Sequence, residues 1–102
     1  MKKYTITENN IIYDIIEYDR GTKFWMLNNI FHREIGPAIE WSDGGKSWYK
    51  NGNRHRDDGP AAEYNDGLVS YWYNDIRLEH INSNEELKRY IKLLSIKLLY
   101  SN

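Results

Sequence analysis

The residues best equipped for chemistry come in two matched sets. His32, Arg33 and Glu34 stand together, and His55, Arg56, Asp57 and Asp58 stand in the same order later in the chain. An imidazole beside carboxylates can bind a divalent metal or shuttle protons. Each set runs on into Gly-Pro-Ala and a glutamate: Gly36, Pro37 and Glu40 in the first, Gly59, Pro60 and Glu63 in the second. Matching residues are 23 positions apart throughout, and Arg33-Glu40 and Arg56-Glu63 read as one ion pair made twice. General acid–base catalysis needs a singular constellation in a pocket, whereas these groups recur with the architecture. Ligands two strands apart also sit too far from one another to share an ion at about 2 Å per bond. The expectation is structural: each imidazole hydrogen-bonds neighbouring turn backbone, with no catalytic residue, metal or cofactor. His80 falls outside the pattern and reads as a surface residue, and the glycines are turn glycines, not a phosphate loop.

The period defines the elements that must position these residues. One domain of 102 residues divides into degenerate first strands over 1–31, full units over 32–54 and 55–77, and a helix over 83–100. A fixed period of this length marks a repeat architecture with atypical ends. Asp43-Gly44, Asn51-Gly52 and Asp66-Gly67 are the dipeptides of two-residue hairpin loops, where both residues take positive φ. The fold expected is mainly β, an antiparallel meander of hairpin units. Alternation along the strands then makes two aromatic columns, Trp25-Trp48-Tyr71 on one face and Met26-Tyr49-Trp72 on the other. Trp41 and Tyr64 read as fillers from the intervening strand. Ser83-Asn84-Glu85-Glu86 fits a capping box, and Leu87, Tyr90, Ile91, Leu94 and Leu98 form the stripe that packs the helix on the sheet. Leu93, Ile96 and Tyr100 form a second stripe nearly opposite, an interface for more protein.

Composition narrows the class. A net charge of -1 argues against binding nucleic acid by charge alone, and the absence of Cys excludes disulfides and thiol chemistry. No secretory signal or membrane-spanning stretch is visible, so the expected location is cytoplasmic.

Tyr49-Lys50-Asn51-Gly52-Asn53-Arg54-His55, with Asp66-Gly67 further on, resembles a MORN-type repeat: an aromatic, Asn-Gly, then His three residues after the Gly. The resemblance is good over 28–73 and loose over 17–77. It departs in having Arg33 and Arg56 where the family usually has Gly after the His, and in its Gly-Pro-Ala insertion. It is closer to the His-Arg-x-x-Gly-Pro-Ala variant of phage, giant-virus and low-GC bacterial proteins. The resemblance implies an elongated sheet of hairpins with a scaffold or binding role, sometimes at membranes, and no catalytic residues.

The function expected is non-catalytic binding to another protein, with Trp25, Trp48, Tyr49, Tyr71 and Trp72 as anchors and Arg54 and Arg56 beside them. By analogy of size and repeat variant the target is a host protein blocked by a phage or viral factor. Self-association through a sheet edge or the helix is a second expectation. Aromatic columns beside Arg54, Arg56, Arg77 and Lys50 also suggest a platform for single-stranded nucleic acid, opposed by the interspersed Asp57, Asp58, Asp66 and Asp75. The cationic side of the helix could touch anionic lipid, but packing on the sheet is the plainer account.

Overall fold

Asparagine sets the strand boundaries. Asn9-Asn10, Asn28-Asn29, Asn51-Gly52 and Asn74-Asp75 are pairs in which both residues take positive φ, as two-residue hairpin loops require. In the computed structural model, which describes residues 1–100, they join β1 (Lys2–Glu8) to β2 (Ile11–Glu17) and β3 (Lys23–Leu27) to β4 (Ile30–Phe31). Later in the chain β5 (Ile39–Glu40) and β6 (Lys46–Ser47) precede the hairpin of β7 (Tyr49–Lys50) and β8 (Asn53–Arg54). Then β9 (Ala62–Glu63) and β10 (Val69–Ser70) precede the hairpin of β11 (Trp72–Tyr73) and β12 (Ile76–Arg77), and α1 (Asn84–Tyr100) is the last described element.

Asp43-Gly44 and Asp66-Gly67 are not two-residue loops. Only the glycines take positive φ there. Each follows a type I turn closed by Gly44 N–H on the Trp41 carbonyl, or Gly67 N–H on that of Tyr64, at 3.0 Å. The aspartates stay right-handed because their carboxylates accept from Gly45 N–H (2.8 Å) and Leu68 N–H (3.0 Å). The same loop follows Tyr18, with Gly21 at φ +102°.

All strand pairs are antiparallel, and the main sheet runs β1-β2-β3-β5-β6-β9-β10, open at both ends, with β4 branching from β3. The branch has a simple cause. Trp25 N–H donates to the Ala38 carbonyl on one neighbour, while its own carbonyl accepts from His32 on another. Trp48 repeats this between Ala61 and His55, and Tyr71 accepts from Leu78. The strand forks at these residues: its first half stays in the sheet and its second half leaves as a hairpin.

Register places Lys2, Glu17, Lys23, Glu40, Lys46 and Glu63 in one row across the sheet, acid and base alternating. Opposite charges on adjacent strands favour this register by tenths of a kcal/mol per pair, about 0.2–1. The neighbouring row, Phe24-Ile39-Ser47-Ala62-Ser70, lies on the other face.

Two cores result. Tyr13, Ile15, Trp25 and Ala38 form one; Tyr71, Leu78, Ile81 and Leu87 form the other. The helix therefore does not lie along the sheet. It packs at the last unit through Leu87, Tyr90 and Ile91, started by Ser83 Oγ accepting from Glu86 N–H (3.2 Å). Beyond Leu94 it projects, leaving Leu98 of the expected packing stripe 76% exposed. Leu93 and Ile96 of the second stripe are also exposed, and the side chain of Tyr100 lies outside the described residues. No described helix is long and apolar enough to cross a membrane. The molecule measures 48 × 32 × 19 Å.

Candidate functional site

The two sheet faces are built from the same residue types and used differently. On the first, which we term the histidine face, His32 Nδ1 accepts from Asn51 N–H (2.9 Å) and His55 Nδ1 accepts from Asn74 N–H (3.0 Å). An accepting Nδ1 places the ring proton on Nε2, which donates to Glu34 in the first case and Asp57 in the second, both at 2.7 Å. Each buried imidazole thus locks the next hairpin turn to its own chain, and neither has a nitrogen left for a metal or a substrate. Among the described residues no three His, Asp or Glu side chains are grouped so as to hold a metal ion.

Arg33 and Arg56 explain the rest of the motif. Their guanidinium carbons lie 3.5 Å from the centre of the Trp25 ring and 4.0 Å from that of Trp48. On the other side of each guanidinium is a glycine: a Cβ on Gly36 would come within 3.0 Å of Arg33 Cζ, and one on Gly59 within 2.9 Å of Arg56 Cζ. Arginine is held as a slab between indole and bare backbone, which is why glycine occupies those sites. Pro37 and Pro60 contribute their carbonyls, each accepting from the arginine Nη1 at 3.1 Å. Arg56 pairs with Glu63 at 3.1 Å as expected, but Arg33 reaches Glu40 only at 3.9 Å. Its main partner is Glu8 at the end of β1, gripped at 3.0 and 2.8 Å. That hydrogen bonding holds the Glu8 carboxyl below its ordinary value, against the opposing effect of burial.

An open groove of about 540 Å³ runs between the units, lined by Arg33, Glu34, Trp48, Lys50, Arg56 and Asp57 among others. Lys50 Nζ stands 3.8 Å from both Glu34 and Asp57, so the groove's charges face one another.

The second, serine face carries a continuous aromatic strip. Tyr18 packs edge-on to Phe24 (5.1 Å between ring centres), Phe24 to Phe31 (5.0 Å), and Phe31 tilts against Tyr49 (5.3 Å). Arg54 continues the strip, its guanidinium 5.3 Å from the Tyr49 ring and 4.9 Å from Trp72. Trp41 and Tyr64 flank a smaller groove with Arg54 and Ser47. Their polar tips are held: Trp41 Nε1 donates to Ser47 Oγ (3.2 Å), and the Tyr64 hydroxyl meets Ser70 Oγ at 3.4 Å.

Exposure reorders the expected anchors. Trp25 and Tyr71 are buried, and Trp48 and Arg56 are half-buried against each other on the histidine face. Tyr49, Arg54 and Trp72 line the serine face, half-buried. The most open aromatics are Tyr18, Trp41 and Tyr64, at 39%, 43% and 48% exposure. Trp41 and Tyr64 are not the fillers expected, and Tyr18 shares their setting. Each stands at the entrance of a Gly-containing loop, just past the last paired residue (Glu17, Glu40 or Glu63). Position before an x-x-Gly loop was the available signal. They sit on alternate strands of the sheet, spaced about 10 Å apart.

No family model, curated protein or solved structure matches the chain.

Proposed function

We propose that this chain is a non-catalytic protein-binding module built of MORN-like units, with the serine face as its contact surface. The observation carrying this reading is the set Tyr18, Trp41 and Tyr64: large rings, open to solvent, with Trp41 and Tyr64 already fixed by serine hydroxyls. Aromatics that are rigid before contact lose little side-chain entropy on binding, and Trp, Tyr and Arg dominate interface energies. Arg54, between Tyr49 and Trp72, supplies a cation at the centre of that surface. The exposed Leu93 and Ile96 of α1 offer a second apolar contact. By analogy with the repeat variant, the target is a host protein in the cytoplasm and the module an inhibitor of phage or viral type.

Immobilised protein incubated with lysate of the host cell should retain a partner that is lost with the Trp41→Ser/Tyr64→Ser double variant. The variant's far-UV circular dichroism should be unchanged. A partner retained equally by that variant would move the contact surface elsewhere.

The Arg54 stack between two rings favours one alternative, a platform for single-stranded nucleic acid. That reading requires oligonucleotide affinity at low salt that falls steeply as salt rises, and no binding at low salt removes it.

A further inference from the structure

The strand β1 is the longest edge of the sheet, and among the described residues only β2 pairs with it. Its free side can be read from the hairpin. A two-residue loop is closed by a hydrogen-bonded pair, here Glu8↔Ile11, and bonded pairs alternate from there: Ile6↔Tyr13, Tyr4↔Ile15, Lys2↔Glu17. Hence Lys3, Thr5 and Thr7 turn their N–H and C=O groups away from β2. The same parity carried across to β3 aims Trp25 at Ala38, where a bond of 2.7 Å is found. The outward-facing residues are exposed.

An open edge of this length is a template for another strand, and natural sheets usually blunt such edges. Here the sequence Lys2-Lys3-Tyr4-Thr5-Ile6-Thr7-Glu8 is complementary to its own reverse. We propose that the chain forms a two-fold symmetric dimer by antiparallel pairing of β1 with β1 of a second copy, centred on Thr5. In that register Thr5 faces Thr5, Lys3 faces Thr7, Tyr4 faces Ile6, and Lys2 faces Glu8. Lys3, Thr5 and Thr7 then all exchange main-chain bonds, about six in total.

Charge selects this register. Glu8 is fixed and kept ionised by Arg33, so each end of the new pairing brings an ammonium to an anchored carboxylate. A slip of two residues puts Lys2 against Ile6 or Glu8 against Tyr4. A slip of one sets outward-facing groups against inward-facing ones and turns every side chain to the wrong face. Residues opposite each other in an antiparallel pair point to the same face, so both serine faces would look the same way across one continuous sheet.

The sequence contains no Cys, which allows a direct test. Thr5→Cys places two thiols on the two-fold axis, with Cα atoms about 5.5 Å apart and within disulfide reach. Under mild oxidation it should convert largely to a covalent dimer, while Thr7→Cys, which faces Lys3 of the second copy, should form no covalent cross-link. Sedimentation of the unmodified chain should give twice the 12.3 kDa monomer mass. Thr5→Pro, which removes only an outward N–H, should give the monomer with its circular dichroism retained. A monomer at all concentrations, or Thr7→Cys cross-linking as readily as Thr5→Cys, overturns the proposal.

Discussion

Trp48 and Trp41 are seven residues apart, occupy the same unit and share a side chain, yet one is bound into the molecule and the other faces out. Trp48 has a guanidinium on its ring and a glycine beyond that. Trp41 has a serine hydroxyl at its tip and is 43% exposed. The difference teaches that in a sheet this thin an aromatic's role follows from its stacking partner, not from its type or its place in a column. The histidine face is closed by its own charged groups, and the serine face leaves Trp41 and Tyr64 open to solvent.

Four changes break or sharpen that contrast. The largest effect belongs to Trp25, 4% exposed, bonded through Nε1 to Glu40 (2.8 Å) and covered by Arg33. Trp25→Ala should lose about 3–5 kcal/mol in chemical denaturation, enough to unfold much of a marginal domain. Next is Gly59→Ala, which should cost about 1–3 kcal/mol because the added methyl displaces Arg56 from Trp48. Combined with Arg56→Ala, it should cost much less than the sum of the two changes. Additive costs would show that the slab is not a unit.

Smaller still is the acid limb. The Glu8 carboxyl lies below its ordinary 4.5 in the folded chain, so its pairing with Arg33 stabilises the fold fully above that value. The contribution is lost as pH falls through the folded-state value, and Glu8→Gln should flatten that part of the stability–pH curve by under about 1 kcal/mol. The smallest effect on stability belongs to Trp41→Ser and Tyr64→Ser, about 0.5 kcal/mol or less each for half-exposed surface groups. The same pair should have the largest effect on binding. A large loss of stability here would erase the distinction between the faces.

Much of the architecture was legible because it was written twice. His32 and His55 announced turn-locking by recurring, and Ser83 with Glu86 announced the helix start. The choice of face was not legible, since Trp25, Trp41, Trp48 and Trp72 look alike until their partners are known. Arg33 gave no hint that it would prefer Glu8, which lies 25 residues away at the end of β1. The loops at Asp43 and Asp66 differ from the two-residue loops expected because Asp-Gly suits both two- and three-residue turns, and the aspartate's own side-chain bond decides between them. The helix followed its capping signal but not its expected seat, because it is held at its first turns by the last unit's Tyr71, Tyr73, Leu78 and Ile81.

The alternating row from Lys2 to Glu63 has a bearing on size. Glu17 with Lys23 and Glu40 with Lys46 each add one anion and one cation to it, whereas the last unit sets Glu63 against Val69 and ends the alternation. A row that grew by another strand would need a cation in place of Val69 to keep its charges balanced.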